Sequence, residues 1–386
     1  MPYFKIPRII KKQGRINPHP IDKFLVVSVL IISTFGTLMV FSAGAPYAYA
    51  RYGDGSYFMK RQIIWLILGI SLMFICSKIK PSFYERVTLP LYVITLLLLL
   101  LVLIIGFVGN GAKRWISIGP LTIQPSEIAK IAIILMLAKY YSDFEHLALE
   151  KKNKKVLFIY GTLIPIAIML IPIILVMLQK HLSCIIILGL IGFFMIVGSG
   201  ADLRYISAFG AVGAVGVGAL AIFTDYTKER ITVWQNPEAY KLTGGWQTLQ
   251  GLMAIGSGGL FGVGYGNSVM KHCYVSEPAN DMIFAILCEE LGFVGAASTL
   301  LMFGILIYRG FYIALRAESV FSRLVAYGIS AKMAIQVLLN VSVVTNTIPN
   351  TGISLPFFSY GGSSLIMIFA EMGILLSISS FSKITK

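Results

Sequence analysis

The chain reads as an all-α, polytopic integral membrane protein, and three observations predict it. Its mean hydropathy is +0.81; 57% of its 386 residues are hydrophobic and 13% charged, a balance outside that of a soluble globular domain. Its apolar runs are about 16 to 25 residues long, enough to cross a hydrocarbon core as helices, whereas barrel strands would show as short alternating segments. Lys and Arg cluster in the short links between those runs, the pattern of topology signals and headgroup contacts.

Taken in order, the runs give about ten spans on the twenty-residue criterion: Phe24–Gly44, Gln62–Ser77, Leu89–Gly109, Ile128–Tyr141, Val156–Leu178, Cys184–Gly200, Tyr205–Phe223, Met282–Tyr308, Leu324–Thr345 and Gly361–Phe381. Residues 1–23 form a basic leader, and the first run, which lacks a small-residue cleavage site, reads as a retained anchor. Alternate links carry the positive charge. One set holds Lys5, Arg8, Lys11, Lys12, Arg15 and Lys23, then Lys78, Lys80 and Arg86, the cluster Lys151, Lys152, Lys154 and Lys155, then Arg204, Arg309, Arg316, Arg323, Lys383 and Lys386. That is roughly nineteen cations against about ten in the other set, so both termini are expected in the cytoplasm. The longest link, residues 224–280 between the seventh and eighth spans, then falls on the outer face, and its apolar stretches and glycines suggest re-entrant pieces shielded by protein.

The net charge of +15 sits beside hydrophobic runs rather than on one soluble face, which argues for the membrane and against nucleic acid. Four cysteines, Cys76, Cys184, Cys273 and Cys288, have no paired spacing, so neither a disulfide framework nor a zinc site is expected. His181 and His272 lack metal-ligand spacing and read as incidental polar residues.

Chemistry concentrates between Ala254 and Gly292. Asp281 stands at the mouth of a very apolar helix, where it serves either as a helix N-terminal carboxylate or as a base whose pKa burial raises. Glu277 is four residues earlier, but Pro278 opposes a shared helical face. The glycines of GSGGLFGVGYGNS allow close approach of the backbone; without a Lys-Ser/Thr ending they do not make a nucleotide loop. Glu127 and Lys130, three apart at the start of the fourth span, share a face and form either a structural ion pair or the lining of a polar cavity. Lys113 and Arg114 in an outer link are candidate phosphate ligands or interfacial anchors. Arg230 and Lys271 add two cations on the side of Asp281, and PNTGISLPFFSYGGSS (349–364) suits a re-entrant turn. An outer-face group transfer has no ATP at hand, so it needs a donor carrying its own activation, for which a lipid diphosphate qualifies.

The segments GAKRWISIGPLTIQPSEIAK, QTLQGLMAIGSGGLFGVGYGNS, VSEPANDMIFAILCEELGFVG and PNTGISLPFFSYGGSS resemble, in order and over nearly the whole chain, the signature blocks of the SEDS family of shape, elongation, division and sporulation proteins (FtsW, RodA, SpoVE). The resemblance implies a peptidoglycan glycosyltransferase that polymerises lipid II on the outer face of the bacterial cytoplasmic membrane. It also implies a class B penicillin-binding protein as transpeptidase partner, among other division or elongation proteins. Asp281 matches the family's catalytic aspartate, Glu127 and Lys130 its polar pair in the fourth span, and Arg230 the arginine early in the outer loop. GVGYGNS with Lys271 is more like the division and sporulation members. Two departures stand out: Ala279 and Asn280 replace the usual His and Thr, and Gln179–Ser183 replaces a Gln-Pro-Asp-Leu-Gly run, removing a carboxylate. A divalent cation, Mg2+ or Mn2+, is suggested by diphosphate chemistry alone; the sequence shows no dedicated cage. Lipid II transport and a non-catalytic division scaffold stay open as alternatives.

Overall fold

The computed structural model describes residues 20–109, 112–119, 121–148, 158–200, 210, 225–272 and 274–382. Residues 1–19 of the basic leader, the lysine cluster at 151–155, the predicted span Tyr205–Phe223 except Gly210, and Cys273 lie outside them.

Among the described residues, seven helices are long and apolar enough to cross a membrane. They are α1 (Lys23–Tyr52), α2 (Tyr57–Lys78), α3 (Pro81–Ile105), the run Ile159–Leu178, in which one π turn leads into α5 (Ile164–Leu178), α9 (Ile283–Arg316), α10 (Val320–Val344) and α11 (Gly362–Ser380). α4 (Pro125–Ala148) and the shorter α6 (Leu182–Gly198) complete the bundle. Local chemistry marks the ends. Asp22 caps α1 by accepting from the Leu25 amide at 3.1 Å, Pro81 opens α3 at its first turn, and Ser319 caps α10 through the Ser322 amide at 3.0 Å.

The third span ends earlier than its apolar run suggests. Gly106 leaves helical geometry, and the chain turns into an antiparallel three-stranded sheet, β1 (Phe107–Gly109), β2 (Ala112–Ile118) and β3 (Leu121–Ile123), with Phe107 opposite Trp115 and Ile116 opposite Ile123. No strands are expected here from sequence: β1 and β3 are three residues long, too short for period-two alternation to show, and the seven residues of β2 carry their charges and apolar groups without a clean alternation. Pro125 then starts α4 three residues before the predicted span, which puts Ser126 and Glu127 in its first turn.

Small residues let helices close up. A Cβ at Gly69 would lie 2.3 Å from the Phe369 ring and one at Gly373 2.5 Å from the Met73 carbonyl, so α2 and α11 pack backbone to backbone along their length. α1 and α9 are tied at two levels. Arg309 Nε donates to Asp22 Oδ2 at 2.7 Å, and Ser42 donates to Glu290 at 2.6 Å. At 1.5 Å per residue, Asp22 to Ser42 and Glu290 to Arg309 each rise about 28–30 Å, the thickness of a hydrocarbon core. The two polar layers therefore stand about one hydrocarbon thickness apart.

The link after residue 224 is ordered over its described part. α7 (Asp225–Gln235), a 3-10 turn (Pro237–Tyr240) and α8 (Trp246–Ser257) lead into the glycine run, which packs on α9. α9 is broken at Gly292 (φ 64°). At the break the ladder is completed by the glycine run: Val263 and Gly264 amides donate to the Glu289 and Glu290 carbonyls (2.9 and 3.0 Å), and Phe293 and Val294 amides donate to Gly259 and Leu260 (2.9 and 3.1 Å). Four backbone groups freed by the break find partners in this exchange, as irregular backbone inside an apolar bundle requires.

Candidate functional site

Asp281 lies just before α9, at the end of the bundle opposite the Asp22–Arg309 layer. Three hydrogen bonds pin the peptides around it, two from the 349–364 segment and one from α10: the Tyr360 amide donates to Ala279 O at 2.8 Å, Ser359 Oγ to Asn280 O at 2.7 Å, and Asn340 Nδ2 to Asp281 O at 3.0 Å. Ser359 Oγ also accepts from the Leu355 amide (2.7 Å), and Asn340 Nδ2 also donates to Ile353 O (2.6 Å). The 349–364 segment thus forms the re-entrant cradle its composition suggests.

The backbone is held while the carboxylate is not. Its polar contacts with Gln247 of α8 are long, 3.5 Å to each oxygen, at the outer limit of a hydrogen bond. Gly352, with φ +68°, passes so close that a Cβ there would stand 3.6 Å from Asp281 Oδ2. Burial pushes the carboxyl up to about 6, the negative charge of Glu277 adds to this, and its own backbone amide, Gln247 and Arg230 oppose it. Glu277 itself is exposed, adopts φ +54°, and accepts from Asn280 Nδ2 at 2.5 Å. Asn280, which stands where the resemblance expects a threonine, therefore orients Glu277.

Arg230, on α7, donates to the Asn350 carbonyl, and Trp234 Nε1 donates to Asn346 O at 2.9 Å. α7 is in this way strapped to the same loop that approaches Asp281. On the other side of that loop Ser183, at the start of α6, donates to Thr351 O. Asn350 to Ile353 joins two groups of polar side chains: Asp281 with Arg230 and Gln247, and a second group on α4, α6 and β2.

In that second group Lys130 Nζ lies 2.7 Å from Glu127 Oε1, both buried. Ser126 Oγ is 3.5 Å from His181 Nδ1, and Arg114 Nη2 donates to Lys180 O at 2.5 Å. Burial holds the His181 imidazolium down to about 3, with Arg114 acting in the same direction, so the ring is neutral. His181, read from sequence as incidental, belongs to this group. A single histidine carries no spacing signal, and Ser126 is distant in sequence. Lys113 is exposed on β2, one residue before the half-buried Arg114.

Lys271 departs from the reading that sets it beside Arg230 as a ligand cation. Its ammonium has three hydrogens, and three acceptors take them: Gly266 O at 2.6 Å, Glu290 Oε1 at 2.8 Å and Ser42 Oγ at 3.1 Å. The residue is 4% exposed. It locks the glycine run to α1 and α9.

Two further charges escaped the sequence reading. Lys332 of α10 and Glu371 of α11 form an ion pair, Nζ 2.7 Å from both carboxylate oxygens, with no exposed surface. Their separation in sequence hides the pairing. Among the described residues no group of three or more His, Cys, Asp or Glu side chains could hold a metal ion.

A family model described as "Cell cycle protein" and covering FtsW, RodA and SpoVE matches residues 22–384. The chain is 39% identical over 364 residues to stage V sporulation protein E of Bacillus subtilis, covering 94% of this chain and 98% of that one. It is 36% identical over 371 residues to a probable peptidoglycan glycosyltransferase FtsW of Geobacter sulfurreducens, covering 95% and 97%. Its fold is similar to that of a chain solved in a peptidoglycan synthase complex that coordinates polymerization and crosslinking (TM-score 0.76, 28% identity, 93% of this chain and 97% of that one). It is also similar to the rod shape determining protein RodA of Thermus thermophilus (TM-score 0.69, 28% identity, 95% and 98%). With an ordered match over its length and the same multi-pass helical architecture, this chain belongs to the FtsW/RodA/SpoVE family.

Proposed function

We propose that this membrane protein is a peptidoglycan glycosyltransferase that polymerises lipid II. The observation that carries the reading is Asp281: a partly desolvated carboxylate whose side-chain contacts with Gln247 are long, raised to about 6, beside an arginine and a second polar group. A base near the working pH combines the right protonation state with a useful driving force.

In the reaction, Asp281 takes the proton of the acceptor's GlcNAc C4 hydroxyl as that oxygen attacks the anomeric carbon of the donor's MurNAc. The bond from that carbon to the diphosphate oxygen breaks with inversion, and undecaprenyl diphosphate carries away the electron pair. Arg230, Arg114, Lys113 and Lys130 supply positive charge for diphosphate oxygens, by position or through the Glu127 pair. A divalent cation fits these residues only as a guest held by Asp281 and the substrate's phosphates, with no protein cage; it would add positive charge at the leaving group. Lys78, Lys80, Arg86, Arg309, Arg316 and Arg323 lie toward the Asp22 end, which supports a cytoplasmic assignment for that face and an outer one for Asp281. The partner reading, a class B penicillin-binding protein, rests on the likeness to the synthase complex.

The buried ion pairs of α4, α10 and α11 favour one rival, movement of lipid II across the bilayer. Purified protein, alone and with its transpeptidase, given labelled lipid II decides between them. Glycan strands from wild type and none from Asp281→Ala at matched folding are expected. Translocation into liposomes that survives the substitution, without strands in any partner context, overturns the polymerase reading.

A further inference from the structure

The pair Lys332–Glu371 lies outside the chemistry just described, yet a buried ion pair inside a bundle is a poor source of stability and by default a functional candidate. Its surroundings say what it acts on. α10 packs antiparallel to α4: a Cβ on Gly328 would stand 2.7 Å from Ile134, so one turn further along α10 brings Lys332 level with Lys130. Lys130 interacts electrostatically with Glu371, and Lys332 with Glu127. The two pairs form one neutral cluster of four charges.

From this cluster a polar stripe climbs α10. Lys332, Gln336 and Asn340 recur at every fourth residue and so share a face; they are 0%, 2% and 0% exposed. Asn340 ends the stripe by holding the Asp281 and Ile353 carbonyls. Among the described residues Gln336 Oε1 and Asn340 Oδ1 have no hydrogen-bond partner, and neither does Thr351 Oγ1 in the loop beside Asp281. Buried oxygens of this kind are served by ordered water.

We propose that Lys332, Glu371 and Gln336 are positioning residues for Asp281, acting through a hydrated polar file along α10 that links the four-charge cluster to Asn340. The ion pair fixes the height and rotation of α10 in the bundle. Gln336 carries that constraint to Asn340, which sets the peptide on which the Asp281 side chain stands. The inference rests on the polymerase reading for its consequence in catalysis, but not for its structural half.

The test uses full-length protein in lipid nanodiscs with its transpeptidase and labelled lipid II. It compares wild type with Gln336→Met, with the neutral pair Lys332→Met/Glu371→Leu and with the charge-keeping pair Lys332→Arg/Glu371→Asp. Expected are a tenfold or larger fall in kcat with KM within about twofold for Gln336→Met and the neutral pair, no loss of Tm in the neutral pair, and recovery of kcat in the charge-keeping pair. Amide hydrogen exchange over residues 279–283 should rise in the same two variants. Unchanged kcat and unchanged exchange in both would reduce the stripe to packing and overturn the proposal. Should the neutral pair fail to fold, Gln336→Met decides on the same readouts. Wild type without polymerase activity would sink the enzymatic reading, while exchange would still judge the file.

Discussion

Asp281 and the Glu289–Glu290 pair are separated by two turns of one chain segment, and their environments are opposite. Glu289 accepts from Ser268 Oγ (2.5 Å) and from the Val269 and Met270 amides (2.9 and 3.3 Å). Glu290 is held by Ser42 and Lys271. Both are buried, and both are well supplied with donors. Asp281 has a tightly bonded backbone, and its carboxylate adds to its own amide only two long contacts with Gln247, at 3.5 Å, among the described residues. A buried carboxylate that is fully bonded is scaffold; one left short of donors is held ready for a proton.

The largest expected effect separates the two acids by sign. Asp281→Asn should lower strand formation by about 10²–10⁴-fold while raising stability at pH 7. The folded pKa is raised from 3.8 to about 6, so between those values the native state binds more protons than the unfolded one. Its contribution to stability is present at low pH and lost as pH rises through about 6. Removing the ionisable group returns up to about 3 kcal/mol at pH 7, measurable as a shift in the denaturation midpoint.

Glu290→Ala should do the reverse, costing about 3–5 kcal/mol by stranding the Lys271 ammonium. Lys271→Met/Glu290→Leu should recover most of that, and a double-mutant cycle on thermal unfolding checks it. Equal losses in the single and double variants would break the scaffold half of the comparison. Next in size is Gly292→Ala. Its Cβ would meet Gly262 N at 2.4 Å and Leu260 C at 2.6 Å at φ +64°, a cost of about 1–3 kcal/mol, read by the same unfolding measurement. Smallest is Gln247→Ala, which removes a contact that holds Asp281 down. It should move the acid limb of the rate profile to higher pH with little change in stability.

The described spans were legible because twenty consecutive apolar residues have few other meanings, and Glu127–Lys130 because three residues on a helix are neighbours. Asp281 was legible because a charge beside MIFAIL needs a reason. What sequence concealed depends on distant partners. Lys271 meets Glu290 only because Gly292 breaks α9 and admits the glycine run. Lys332 meets Glu371 across two helices, and His181 meets Ser126 across a span and a link. Gly106 ended a run that still read as apolar, and two of the three strands after it are three residues long, too short to announce themselves.

The pH dependence of strand formation by the wild-type complex tests the central claim most directly. An under-bonded, half-buried Asp281 predicts a rate that falls on acidification with a midpoint near pH 6, a limb absent from the residual activity of Asp281→Asn. A midpoint at the ordinary aspartate value of 3.8, or an Asp281→Asn protein that polymerises at the wild-type rate, would contradict it.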